Sequence, residues 1–299
     1  MTNGFLAPYD GISNSVGEQR REAALGLFRS IAFALLVVAL PLTLVVTNIR
    51  FAASEVRVYD YPVREYNVAA TTRIPQDELL RANRELVTYF KADHPAPLRI
   101  VVSNIDGEQE QLFNARETVH LADVRDLFQA LFTVQTLLVA LTLGLAVVLL
   151  ASSPVRLLAR ALATGAALTL ALVGATAVLA YTGFDDAWRQ FHFLAFTNDL
   201  WELDPDTDHL IQMFPQGFWF DITLLIGAFT MLEALLIGGV SGVYLYLTRW
   251  DGEEEQPGRR QPIERPLEPR PRIPPPRPRH LTHYLPARQP AWLAAPNPS

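Results

Sequence analysis

The chain has 299 residues, half of them hydrophobic, a formal net charge of −6 and no cysteine. Without cysteine there is no disulfide, no thiolate nucleophile and no Cys-ligated metal, and with no basic surface ahead of the C-terminal region the charge argues against nucleic acid as a partner. The apolar residues gather in long blocks, which is the pattern of a membrane protein.

A bilayer core about 30 Å thick takes about 20 apolar helical residues to cross, and four stretches are long enough. They predict an α-helical membrane protein with transmembrane helices over 25–48, 127–151, 155–181 and 219–248. The first has too long a lead and too long an apolar run for a cleaved signal peptide, so it reads as a retained anchor. Arg20, Arg21 and Arg29 precede it, Arg156 and Arg160 flank the turn between the second and third spans, and Arg249 follows the fourth. Cytoplasmic loops carry the excess of such residues. That places the arm 1–24 and the tail 249–299 in the cytoplasm of a multi-pass cell-membrane protein, with 49–126 and 183–218 outside. The second outer segment supports this with seven carboxylates against Arg189 alone.

Segment 49–126 reads as a small extracytoplasmic α+β domain. Val56 to Tyr61, Arg64 to Ala69 and Leu98 to Ser103 have the β-branched and aromatic content of strands. Pro75 to Phe90 reads as a helix, with Asp77 and Glu78 in its first turn and Leu79, Leu80, Leu86 and Phe90 on one side. Phe113 to Leu127 turns helical and runs into the second span. Residues 251–299 hold 13 of the 22 prolines, a composition that cannot bury a core and predicts a disordered Pro/Arg-rich tail.

Within the spans, Pro41 predicts a kink, and Gly165, Gly174, Gly238 and Gly242 predict close helix approach. Glu233 lies about 21 Å into the fourth span at 1.5 Å per residue. An acid at that depth is an intramembrane functional candidate, or a neutral side chain bonded to a neighbour such as Gln135 or Thr142.

Two outer histidines stand out. His120 and Asp123 are i, i+3 neighbours on a helical face, where the carboxylate can hold the imidazole's tautomer. Trp188, His192 and Phe196 recur at helical spacing as an aromatic stripe suited to face the headgroup region. A lone interfacial histidine is commonly just an amphipathic anchor; two on the same face favour catalysis. His94 and His209 read as plain surface residues. Asp204 followed by Pro205 reads as a helix N-cap with proline first and Asp208 in the first turn. Zinc-protease and serine-hydrolase motifs are absent, and an EF-hand fails at His209 and Pro215. No cofactor or metal is called for, although the composition leaves open a zinc site from His120, His192 and Asp199.

At these residues the sequence resembles a family of bacterial four-span membrane proteins that includes the lipoprotein intramolecular transacylase. The likeness rests on Leu112-Phe113-Asn114-x-Arg116-Glu117-x-x-His120-x-x-Asp123-Val124 and on Phe191-His192 through Asn198-Asp199-x-Trp201 to Asp204-Pro205-x-x-Asp208-x-Leu210-Ile211-x-x-Phe214-Pro215, and it extends over residues 25–248. It implies transfer of the sn-2 acyl chain of a lipoprotein's diacylglyceryl-cysteine to the α-amine of the same cysteine, which yields a lyso-form lipoprotein. By motif position, His120 and His192 are the implied catalytic residues; His192 is expected as the base, with His120 oriented by Asp123. Arg116, Asn198 and Asp199 are expected to position them. The implied partners are a diacylglyceryl lipoprotein and membrane lipid. Two alternatives come from other classes: a non-enzymatic membrane protein with a partner-binding outer domain, and a metal-dependent membrane hydrolase.

Overall fold

The computed structural model describes residues 10–93 and 96–249. Ten elements follow in order: α1 (Asp10–Ser54), α2 (Val56–Glu65), α3 (Val68–Thr72), α4 (Gln76–Lys91), β1 (Val101–Ser103), β2 (Gln109–Gln111), α5 (Ala115–Ser152), α6 (Val155–Ala195), α7 (His209–Met213) and α8 (Gln216–Leu247). Helices α1, α5, α6 and α8 have 45, 38, 41 and 32 residues and are apolar enough to cross a membrane. Each exceeds the length that a bilayer core requires, so their ends stand clear of it. His94 and the Pro/Arg-rich tail lie outside the described residues.

Helix α1 is the hub of the bundle, packing on α5, α6 and α8, while α6 and α8 form the other extensive pair. Small residues allow two of these contacts. A Cβ on Gly165 of α6 would come within 3.0 Å of Leu40, and one on Gly238 of α8 within 3.1 Å of Ala166. Gly174 and Gly242 face open space and do not serve this purpose. Pro41 sits inside an uninterrupted α1. Polar side chains pair where helices meet: Thr43 with Thr142 at 2.7 Å, Gln135 donating to Thr47, and Arg50 donating to Gln135 at 2.7 Å. Glu233 accepts from the Asn48 amide at 2.8 Å, and the same amide reaches Thr230. Its partner is therefore Asn48 of α1, rather than Gln135 or Thr142. In hydrocarbon, such pairs give polar groups the partners that lipid cannot supply.

The membrane-distal layer departs most from the sequence reading. Val56 to Tyr61 is helical, Arg64 to Ala69 spans the end of α2, a break at Tyr66 and Asn67 and the start of α3, and among the described residues the sheet is the antiparallel hairpin in which Val101 faces Gln111 and Ser103 faces Gln109. The physical reason is visible in α2. The Glu55 side chain accepts the Arg57 N–H as an N-cap, and of the helix's buried residues Tyr59, Asp60, Pro62 and Val63, the two that enter the core, Tyr59 and Val63, lie one turn apart. A helical burial period overrides β-branched content. The helix read over 75–90 is present as α4, with Leu79, Leu86 and Phe90 buried.

These pieces share one core with residues from the second outer segment. Tyr59, Leu79, Leu86 and Leu112 pack with Met213, Phe214 and Phe218, so the two outer segments form a single cap. Where that cap meets α8, the Tyr66 ring lies so close to Gly217 that a Cβ would fall within 2.7 Å of it. Any larger residue there would have to push the Tyr66 ring aside.

Candidate functional site

His120 is placed by the first turns of α5. Asn114 caps that helix: its side chain accepts the Glu117 N–H at 3.0 Å, and the Glu117 carboxylate accepts the Asn114 N–H at 2.7 Å. This reciprocal capping box fixes where the helix begins, and His120 follows one turn later. The apolar crossing portion of α5 starts only after Asp123, Arg125 and Asp126, which leaves His120 on the cap side of the membrane.

His192 is placed by a break in α6. Gly183 departs from helical geometry (φ −168°, ψ 48°), which separates the apolar part of α6 from a short outer helix that carries Asp185, Asp186, Arg189 and His192. His192 therefore also lies outside the crossing portion. Trp188, one turn earlier, stacks on Trp219 of α8 with centroids 4.6 Å apart, which anchors this outer helix against the bundle.

The two imidazoles come together with ring centroids 6.3 Å apart. They are enclosed by aromatic rings: Phe196 lies 4.9 Å from His120, while Trp188 and Trp201 lie 4.8 and 4.9 Å from His192. Exposure is 6% for His120 and 9% for His192. The stripe expected to face lipid thus turns inward, because His192 closes against His120; Phe191, Phe193 and Leu194 are the large hydrophobic residues that this helix exposes.

The Nδ1–H of His192 donates to the Trp188 carbonyl at 2.8 Å. A carbonyl can only accept, so the proton is on Nδ1 and the Nε2 lone pair is free. Burial holds His192 below the ordinary imidazole value, opposed by that hydrogen bond. Burial and the neighbouring His192 push His120 down to about 4, against a smaller opposing pull from Asp123. Both rings are therefore neutral near pH 7, and the Nδ1 of His120 is buried with no hydrogen-bond partner.

The four supporting residues are all at this site, although two act otherwise than expected. Asp123 does not bond His120; its carboxylate accepts from the Asn198 amide at 2.9 Å. Asp199 contributes its main-chain carbonyl, which accepts from Arg116 at 2.5 Å. Arg116 and Asp123 flank His120 on α5, so these two bonds tie the 198–199 loop across the histidine, and Trp201 of that loop covers His192. Glu233 lies apart, about 21 Å along α8 from the Trp219 that touches Trp188, at 1.5 Å per residue.

Sequence reasoning passed over a second set of ties. Glu117, 1% exposed, uses its other carboxylate oxygen to accept the Leu210 N–H at 2.6 Å. Asn114 donates to Asp208 at 2.8 Å, and the other oxygen of Asp208 accepts the Asp204 N–H at 2.8 Å. Asp204 thus opens a turn and Asp208 takes the N-cap position of α7, one turn later than the Asp204-Pro205 pair suggested. His209, read as a surface residue, is partly buried, with its Nδ1 2.7 Å from the Leu112 carbonyl. The spacing of Asn114 and Glu117 was the available signal, since it is that of a capping box; the Leu210 contact, 93 residues away, has no local signature.

Among the described residues no group of three His, Asp or Glu side chains is placed to hold an ion.

The profile of the family described as lipoprotein intramolecular transacylase Lit matches residues 34–219, a span that includes both histidines and all four supporting residues but not Glu233. The chain belongs to the lipoprotein intramolecular transacylase family. Its fold is that of the membrane-integral lipoprotein intramolecular transacylase Lit from Bacillus cereus: at 18% identity the TM-score is 0.63, over 76% of this chain and 99% of that one. The same Bacillus cereus protein with a histidine-to-arginine substitution superposes with a TM-score of 0.64 at 16% identity, over 78% of this chain and 99% of that one. No curated protein matches the sequence. The family and the four apolar helices together make this a multi-pass membrane protein.

Two outcomes follow from the site's geometry. Replacing Glu117 with alanine leaves the Leu210 and Asn114 N–H groups without an acceptor, at a cost of about 2–3 kcal/mol; glutamine keeps one acceptor. Thermal unfolding in detergent should rank the parent above Glu117→Gln and that above Glu117→Ala, and an alanine variant as stable as the parent would contradict the latch. The second concerns pH. Because His120 titrates lower in the folded than in the unfolded chain, the folded form binds fewer protons between about pH 4 and 6.5. The stability this contributes is complete above about pH 6.5 and lost as pH falls toward 4. The parent should lose stability with acid more steeply than His120→Phe; parallel curves would show that His120 is not buried neutral.

Proposed function

We propose that the protein moves the sn-2 acyl chain of a lipoprotein's diacylglyceryl-cysteine to the α-amine of that cysteine, and that His120 and His192 do the proton work. The observation carrying this reading is the pair of neutral imidazoles enclosed by aromatic rings where two spanning helices leave the membrane. Family membership supplies the reaction class.

The chemistry needs no enzyme nucleophile, because amine and ester belong to one substrate. Orientation inside an enclosed site then supplies much of the acceleration. As the amine nitrogen attacks the ester carbonyl, a C–N bond forms. The ammonium that develops gives its proton to the Nε2 of His192, whose orientation is fixed by Trp188. His120 donates to the developing oxyanion. Collapse breaks the bond to the glycerol oxygen, which takes up a proton from the imidazolium, leaving an amide and a free hydroxyl. A free α-amine titrates near 7.7 to 8.0, within reach of an imidazole base.

The cap is assigned to the extracytoplasmic side, and both termini to the cytoplasm. Arg20, Arg21, Arg29, Arg156, Arg160 and Arg249 all fall at the opposite ends of the spans from the cap, which supports this orientation. The substrate would enter from the bilayer, its peptide outside and its chains in the hydrocarbon.

Mass spectrometry of the N-terminal lipopeptide of a co-expressed reporter lipoprotein tests the reading. The parent should convert the diacylglyceryl form to the N-acyl, lyso form, while His192→Ala should lose about 100-fold or more in rate, the usual worth of a general base. An unchanged lipopeptide with folded, membrane-inserted parent would sink the proposal.

A further inference from the structure

A cavity opens on the face of α8 turned away from the histidines. Residues two apart on a helix point in nearly opposite directions. Trp219 faces Trp188, whereas Asp221 faces α2, where the hydroxyls of Tyr61 and Tyr66 both donate to its Oδ2 at 2.8 and 2.6 Å. Here lies a cleft of about 510 Å³ bounded by the end of α1, the start of α2 and the outer part of α8. Its volume is in the range of small-molecule sites.

The cleft is polar at one end and apolar at the other. From Asp221 to Phe229 it follows α8 for about 12 Å at 1.5 Å per residue, and Phe51, Leu225 and Phe229 line the apolar part while remaining 56%, 42% and 45% exposed. These exposed side chains belong to spanning helices, so this end opens to lipid tails. Asp221 falls two residues into the apolar run of α8, at headgroup level. Among the described residues nothing donates to its Oδ1, the oxygen opposite the one held by the tyrosines. Arg57 shares the polar rim: its Nε is 2.9 Å from Glu55, and among the described residues its Nη groups have no partner. The rim therefore offers one free carboxylate oxygen and the free end of one guanidinium, above a wall suited to an acyl chain.

We propose that this cleft holds a resident phospholipid whose headgroup carries both a phosphate and a primary ammonium. The ammonium sits on Asp221 Oδ1, the phosphate on the Arg57 Nη groups, and one acyl chain lies along Phe51, Leu225 and Phe229. A purely anionic headgroup would bring negative charge against both Asp221 and Glu55. A trimethylated ammonium would keep its charge but could not hydrogen-bond. The helix between cleft and histidines sets this lipid apart from a lipid undergoing acyl transfer.

Native mass spectrometry of the full chain in detergent, with equimolar dioleoyl phosphatidylethanolamine, phosphatidylcholine and phosphatidylglycerol, tests the assignment. The parent should retain phosphatidylethanolamine in preference to both others. Asp221→Asn should weaken that binding about tenfold, the worth of one charge-assisted hydrogen bond, and remove the preference over phosphatidylglycerol. Arg57→Gln, at an exposed residue whose loss leaves the core untouched, should weaken phosphatidylethanolamine several-fold. Equal retention of phosphatidylglycerol by the parent, or unchanged phosphatidylethanolamine binding in Arg57→Gln, would overturn the proposal.

Discussion

The carboxylate of Glu117 joins the two chain segments that leave the membrane. One oxygen closes the capping box that starts α5, and the other takes the Leu210 N–H from the segment after α6. Buried carboxylates are costly unless their lone pairs are filled, and here backbone donors fill them. Asn114 and Asp208 make the second strand of the same tie. The consequence is geometric: α5 carries His120 and the segment after α6 follows His192, so fixing 114–117 against 208–210 fixes the two histidines relative to each other. Burial pushes the Glu117 carboxyl up, opposed by those N–H donors.

The rest of the molecule supports that arrangement from both sides. Beneath it, α1 contacts the three other spanning helices and supplies polar partners to α5 at Thr43, Thr47 and Arg50 and to α8 at Asn48. Above it, the cap core draws Met213, Phe214 and Phe218 against α4 and the hairpin. The histidines lie at the level where these two packings meet, enclosed by Trp188, Phe196 and Trp201. An aromatic enclosure excludes water and keeps both imidazoles neutral, which suits proton transfer at an ester carbonyl better than the open interface the amphipathic pattern suggested.

Much of this was legible in the chain. Block hydrophobicity marks the four spans because lipid imposes length and composition together. The pattern of Leu79, Leu86 and Phe90 marks α4, and the run from Phe113 into the second span marks α5. The histidines were visible because each stood near a span end on the same side. What was illegible depended on tertiary partners. Val56 to Tyr61 and Arg64 to Ala69 have the composition of strands, yet Tyr59 and Val63 are buried as one helical face by residues far along the chain. Asp123 looked like the partner of His120 because it sits three residues away, but Asn198 takes its carboxylate. Glu117 gave only the local half of its role.

The central claim is that His120 and His192 work as one unit in acyl transfer, and a double-mutant cycle on the transfer rate tests it most directly. His120→Ala, His192→Ala and the double variant would be compared with the parent on the same diacylglyceryl lipopeptide. Groups that share one transition state are strongly non-additive. The account predicts that the double variant falls no further than the slower single variant. Losses that multiply would show that the two histidines act independently and would contradict it.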